Sequence, residues 1–539
     1  MDNLKSRFSR MDLIRKVVLF SNGDFRDSVN IKCWPKQEET LLKVENSFKS
    51  LGVETKRVHL FKKEIHHGFI NTQAEACRIF SKLHPDIPIV IVLSSWAWAH
   101  HLASSLKLHN GPILLLGNFD GTWPGLVSLL NHSASFERMG IKHSKIWTDS
   151  FRDDAEFLNR LKSWIKTRNI SYLEDHKVSL SELTIKTESL HLGKDIANRI
   201  RKEKRILGQM DPGCMGMLNA VISPDIMAEI SFPLELLSQS DLLAEMNLVL
   251  EDTAKDTYNW LQRKKVTFHL GEDGDTELTE DQIIEQMKMY HAAGQIYKRY
   301  GLSAIGIPYQ YGLVRSTCAS DLPEGMLNNS DRPDIECLET GVVIQKGLPI
   351  IHFNEGDLGS AVPQVLMNEI LNEKKMPPET TLHDIRWGKE WNESFVWILE
   401  ISGGAPPAHY GGWENVDVYR QTPMYFPKGG GTCSGVSKPG VITWARFYEG
   451  YGNIGMDIGI GEIVDLPEAE LLLRRERTSK EWPIANVLLP GYGRDELMSS
   501  HKSNHITICY GNIMQELAAS CKYLGIPVDI IGDGINQFM

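Results

Sequence analysis

Apolar positions along the first third of the chain follow two alternating patterns. Residues 17–20 form a short apolar run that ends in a turn-prone Ser-Asn-Gly-Asp. Residues 38–51 then carry Leu41, Val44 and Phe48 at helical spacing. The runs at 88–93 (PIVIVL) and 112–116 (PILLL) are continuously apolar, the pattern of strands buried on both faces of a parallel sheet. Helical stretches separate them, which predicts an open α/β layer. The polar, helical segment 153–175 reads as a boundary.

A second α/β unit follows. The spacing predicts long amphipathic helices over 245–262 and 280–300, and strands over 303–307 and 348–353. After about residue 375 the character changes. Strands over 395–401, 441–448 and 454–464 alternate with glycine-rich stretches at 402–407, 428–432 and 450–455. Frequent glycine between short strands predicts a β-rich third domain of the kind that closes into a barrel. The fold class is therefore α/β, with domains over 1–175, 176–358 and 359–539.

Composition supports this reading. At ~150 residues per domain, 539 residues correspond to three or four domains. Apolar residues make up 42% and charged residues 24%, a globular balance. The formal charge of 58 − 69 = −11 argues against a broad nucleic-acid surface. No apolar run reaches the roughly 18 residues of a membrane span. The N-terminal segment is polar and basic and shows no secretory signal. The eight cysteines form no C-x-x-C pair, which fits reduced thiols in a cytoplasmic protein better than disulfides or structural zinc. P-loop, dinucleotide-fingerprint, zinc-protease and serine-hydrolase motifs are absent.

Three segments can carry chemistry. In the first, an apolar run meets Asn354-Glu355-Gly356-Asp357 just before a helix, where open α/β folds place ligand-binding groups. Taken alone, the motif reads first as a helix cap at Asp357 and a solvated carboxylate at Glu355. In the second, Asp384 and Arg386 share one face of a short extended segment, for which a surface salt bridge is the default. In the third, His505 opens an apolar strand, where a packing role is common. Together, one Glu, one Asp and one His suit a divalent cation of the Mn²⁺ kind.

The order of these and other motifs resembles the L-fucose isomerase family, within the L-fucose/L-arabinose ketol-isomerase group. Near the N-terminus, Ser95-Trp96 and Leu116-Gly-Asn-Phe-Asp-Gly-Thr-Trp-Pro-Gly125 resemble the family's tryptophan-bearing turn and its W-G-F-N-G-T-x-x-P-G segment. The stretches at 208–217, 303–310 and 325–329 follow in family order. Asn354-Glu355-Gly356-Asp357 resembles T-E-N-D, His383-Asp384-Ile385-Arg386 resembles A-D-V-R, and Ser503-Asn504-His505 resembles A-N-H.

The resemblance implies two Rossmann-like α/β domains followed by a barrel-containing C-terminal domain. It implies Glu355, Asp384 and His505 as ligands of Mn²⁺, with Co²⁺ or Mg²⁺ as alternatives. It implies Trp96, Gln310, Ser402, Thr432 and Asn504 as substrate contacts, and a homo-oligomer, favouring a hexamer, in which Trp96 reaches substrate across a subunit interface. The activity implied is aldose–ketose isomerisation of an open-chain sugar through an enediolate. One of Glu355 and Asp384 acts on the carbon-bound proton, with Glu355 favoured as the base at C2, and the other on hydroxyl protons. No nucleic-acid or membrane partner is implied. A non-catalytic sugar-binding relative and a metal-dependent hydrolase remain open alternatives. The family's Y-S-S-R segment is replaced here by Gly431-Thr-Cys-Ser-Gly435. With Arg315, His100 and His101 placed at the site mouth by the alignment, this predicts a sugar altered at C6, including an anionic one.

Overall fold

In a computed structural model, residues 16–213 and 215–532 are described; the polar N-terminal segment and Cys214 lie outside them. The apolar runs of the first third become β1 (Lys16–Phe20), β3 (Ile89–Leu93) and β4 (Ile113–Asn118), and β2 (Glu54–Arg57) and β5 (Ser144–Thr148), which no apolar run marked, join them. They pair in parallel in the order β2-β1-β3-β4-β5. The helix expected from residue 38 starts earlier, at Asp27–Ser50, and runs through Pro35. Val29, Cys33 and Trp34 extend its buried stripe toward the N-terminus, and this packing outweighs the hydrogen bond that proline lacks.

The next strand, β6 (Lys177–Ser179), belongs to the C-terminal sheet. β7 (Leu207–Met210), β8 (Leu234–Leu237) and, after the short β9 (Thr267–Phe268), β10 (Ala304–Gly306) build a small parallel sheet in the order β10-β7-β8. Two expectations fail in this unit. The helix predicted over 245–262 is two helices, Gln239–Met246 and Glu251–Arg263. Leu248 and Leu250 are exposed, and Glu251 and Asp252 open a new N-terminus. The strand predicted over 348–353 is reduced to one isolated bridge, Ile305 to His352. The Asn328 side chain takes the place of a neighbouring strand there. Its Oδ1 accepts the His352 N–H at 2.8 Å and its Nδ2 donates to the His352 carbonyl at 2.8 Å.

The C-terminal part contains β11 (Thr380–Trp391), β12 (Ser394–Glu400), β13 (Asp417–Val418), β14 (Gly440–Gly450), β15 (Asn453–Ile463), β16 (Ile484–Leu488), β17 (His505–Tyr510) and β18 (Val528–Ile531). β13 pairs with β9. The large mixed sheet runs β14-β17-β11-β12-β16-β15-β18-β6, and β14 also pairs with β15. The ladder from β14 to β15 thus returns on itself through six strands. Phe119, Trp397, Leu399 and Trp444 share an apolar cluster with Ile91 and Leu115, which seats the N-terminal sheet against this circuit. Among the described residues the cysteines are free, and no helix is long and apolar enough to cross a membrane.

Candidate active site

Three separated elements converge where the N-terminal unit meets β11 and β17. The turn Asn354–Gly356 ends the chain's return from the second sheet and leads into the helix Leu358–Glu373. Glu355 holds φ = 56° there, a left-handed conformation that costs a non-glycine residue of order 1–3 kcal/mol. It is not the solvated carboxylate of the isolated reading: it is 8% exposed and lines a cavity. Asp384 sits on β11 opposite His505 of β17 and Glu400 of β12.

His505 is fully buried and joins these elements. Its Nδ1 bonds Asp357 Oδ2 at 2.6 Å, and its Nε2 lies 3.5 Å from both Glu355 Oε2 and Asp384 Oδ1 with no partner at hydrogen-bond geometry. Asp357 does cap the helix, accepting the Gly359 N–H at 2.8 Å, but the same carboxylate also pairs with Arg446. Burial opposes its ionisation, yet Arg446 and His505 hold it well below the usual carboxylate range. Burial likewise opposes protonation of His505, but Asp357, Glu355 and Asp384 push it up to about 10. Asp384 is pushed upward by burial and by Glu355, while Asn504 Nδ2 donates to its Oδ1 at 2.9 Å.

Among the described residues no three carboxylate, imidazole or thiolate groups stand assembled as a metal centre. The three groups meet pairwise through His505. Donors at roughly 2.1 Å from a shared octahedral cation are about 3.0 Å apart when adjacent and about 4.2 Å when opposite. Spacings of 3.5 Å fall inside that range, and the buried, unpartnered Nε2 is the atom such a cation would satisfy.

The cavity in front of Glu355 and Asp384 is walled by Trp96, Trp123, Tyr425 and Trp482 and by Arg26, Arg386, Glu400 and Ser402. Trp96 lines it from the same chain. Ser402 lines it, and Asn504 bonds Asp384 without lining it. Gln310 stands elsewhere: its Oε1 accepts the Met215 N–H at 2.8 Å and its Nε2 donates to the Gly213 carbonyl at 2.6 Å, so it pins the loop before β8. Thr432 is fully buried, exchanging backbone and side-chain bonds with Tyr419. The glycine loop around it is spent on packing, with the Gly431 N–H bonded to Gln286 at 2.7 Å, and forms no wall of the cavity. His100 and His101 pack on Trp98, and Arg315 is exposed on a short helix away from the cavity.

Sequence reasoning missed Arg26, Glu400 and Trp123. Asp24 grips Arg26 through both carboxylate oxygens, at 2.8 and 2.7 Å, and Arg26 Nη1 donates to the Tyr425 carbonyl at 2.9 Å. The signal was available: this Asp-Phe-Arg lies just past the C-terminal end of the first strand. Glu400 is a single charge closing an otherwise apolar strand. Burial first, then Asp384, raises its carboxyl to about 7 despite Arg386, whose Nε lies 3.3 Å from it. Arg386 is therefore no surface salt-bridge partner of Asp384. It is buried, bonds Glu400, and donates from Nη2 to the Gly121 carbonyl at 3.3 Å.

No curated protein matches the chain. One family model does, over residues 413–532, a span that contains Arg446, Asn504 and His505 but neither Glu355 nor Asp384. That model is described as the L-fucose isomerase C-terminal domain, and the match supports membership of the chain in the L-fucose isomerase family.

Proposed function

We propose that the chain is an aldose–ketose isomerase acting on an open-chain sugar. The observation that carries this reading is the convergence of Glu355 and Asp384 on one wall of an aromatic cavity, with the buried His505 3.5 Å from each. Glu355, Asp384 and His505 would hold a divalent cation of the Mn²⁺ kind, with Co²⁺ or Mg²⁺ as alternatives, and when bound it would supply charge stabilisation to the sugar oxygens near C1 and C2.

Glu355 takes the proton from C2, the sugar passes through an enediolate, and a proton that can exchange with solvent while on the carboxyl is delivered to C1. Asp384, with its proton affinity raised by burial, moves protons between the two hydroxyl oxygens. Asp357 fixes the imidazole of His505 through Nδ1, so Nε2 is the nitrogen presented to the site. Trp96, Trp123 and Trp482 give apolar faces for the C–H side of the sugar, and Arg26, Arg386 and Ser402 give donors for its hydroxyls. The six-strand circuit is read as the barrel of the third domain, and the assembly as a homo-hexamer.

The test is a panel of aldoses and ketoses, including 6-deoxy, 6-hydroxy and 6-anionic sugars, incubated with protein and Mn²⁺ in heavy water and followed by NMR. Interconversion of one pair with deuterium entering the product carbon is the expected result. No interconversion across the panel would sink the reading.

A further inference from the structure

The helix Asp321–Leu327 carries two carboxyls three residues apart, Asp321 and Glu324, both buried behind the cavity wall. Residues at this spacing lie on one helix face. Each holds a different edge of the cavity. Asp321 Oδ2 accepts from Gln421 Nε2 at 2.6 Å. That same amide nitrogen donates to the Ser402 carbonyl, and Gln421 Oε1 accepts the indole N–H of Trp482 at 2.8 Å. Ser402 and Trp482 both line the cavity. Glu324 accepts from Ser320 Oγ and from Asn354 Nδ2, and Asn354 immediately precedes the left-handed Glu355. The backbone at Gly404 passes so close that a Cβ there would meet Asn354 Nδ2 at 3.0 Å and Glu324 Oε2 at 3.1 Å.

We propose that Asp321 and Glu324 are positioning residues: Asp321 sets the substrate-side wall of Ser402 and Trp482, and Glu324 sets the turn that holds Glu355. The inference rests on reading this cavity as the isomerase site. Both carboxyls are pushed upward, first by burial and then by neighbouring carboxylates, which fits groups kept for hydrogen bonding. Neither lines the cavity, so each acts through its neighbours. Two carboxyls buried this deeply cost stability unless their bonds are used; Asp321 reaches Ser402 and Trp482 at the cavity through Gln421, and Glu324 reaches Asn354 beside Glu355.

The experiment compares Asp321→Ala, Asp321→Asn, Glu324→Ala and Glu324→Gln by steady-state kinetics and by hydrogen–deuterium exchange in the full chain. Each lost charge-assisted bond is worth about a tenfold change. Asp321→Ala should raise KM about tenfold with kcat within about threefold, and Glu324→Ala should lower kcat about tenfold with KM within about threefold. The Asn and Gln variants, which keep an acceptor oxygen, should restore the affected constant to within about threefold. Exchange should rise in residues 402–404 and 421–426 for Asp321→Ala and in residues 354–357 for Glu324→Ala. Parallel loss of both constants in both Ala variants, or equal exchange changes in both regions, would overturn the inference. A wild-type chain that isomerises nothing overturns the function alone, because the exchange pattern still decides the positioning.

Discussion

His505 Nδ1 and Asp357 Oδ2 are 2.6 Å apart, and both side chains are sealed from solvent. Asp357 is also the N-cap of the helix Leu358–Glu373 and the ion-pair partner of Arg446 on β14. One carboxylate thus ties a helix start, a strand of the six-strand circuit and the imidazole of the site. Buried groups that orient a metal-ligating histidine commonly matter nearly as much as the ligand itself.

The Asp357→Asn variant should lose both affinity and stability. The amide cannot compensate the Arg446 guanidinium, and breaking a buried pair in this way costs about 3 kcal/mol or more. With His505 no longer fixed, Mn²⁺ affinity should fall roughly 10–100-fold. Urea unfolding and calorimetric Mn²⁺ titration measure the two effects. An Asn variant that matches wild type in both would remove this carboxylate from the site's framework.

Glu355→Gln separates chemistry from folding. The amide keeps the shape of the side chain at the φ = 56° turn but cannot take a proton from carbon. Turnover should drop about 10²–10⁴-fold, the range for loss of a general base, with unfolding changed by less than about 1 kcal/mol. Turnover within threefold of wild type would transfer the base role to Asp384. His505→Ala should instead remove Mn²⁺ binding and activity together while leaving the chain folded.

A pH effect follows from the cluster around His505 in protein treated with chelator. Its pKa is raised from 6.5 to about 10 in the folded chain, so the folded state binds the extra proton between those values. This contribution is fully present below pH 6.5 and is lost as pH rises toward 10. Melting of the chelator-treated protein should therefore fall across that window, and His505→Gln should flatten the slope. Saturating Mn²⁺ should act in the opposite sense, because a ligand nitrogen must shed its proton and affinity grows with pH. A steeper slope in His505→Gln than in wild type would contradict the assignment.

The sequence carried the site better than it carried the walls around it. Asp384 and His505 stand on β11 and β17, Glu355 sits in a turn after an isolated bridge, and motif order rather than periodicity singled out the three. The central strands β3 and β4 were equally legible, because an unbroken apolar run has one good home in a parallel sheet. Thr432 and Gln310 were misplaced for a common reason: motif order fixes where a segment falls along the chain, not which way its side chains face. Both turn inward to satisfy loop backbone. Arg26 had a local signal in Asp24-Phe25-Arg26 past the first strand, but its contact with the Tyr425 carbonyl, 399 positions away, is one that no local pattern reports. The break at residues 247–250 failed differently, since it lies between two helices of similar composition and no glycine or proline marks it.

The approach of the N-terminal unit to β11 gives the last prediction. Gly121 lies in the turn after β4 with φ = +75°, and a Cβ there would stand 2.9 Å from the indole of Trp387. Trp387 follows Arg386 at the bulge in β11 and donates its N–H to the Phe119 carbonyl at 3.0 Å. The bulge re-aims the strand just after Asp384, so this contact sets where Asp384 and Arg386 meet the wall formed by Trp96 and Trp123. Gly121→Ala adds both a strained φ and a collision with a ring that also packs against Arg477, and should cost roughly 1–3 kcal/mol. Because Trp387 must shift to accept the methyl, KM should rise as well. Trp387→Leu in the same chain removes the collision but not the strained φ. The double variant should therefore be more stable than the sum of the two single losses, with a coupling of about 0.5–1 kcal/mol in a double-mutant cycle. Strict additivity, or a Gly121→Ala protein as stable as wild type, would show that the turn and β11 are not locked together at this point.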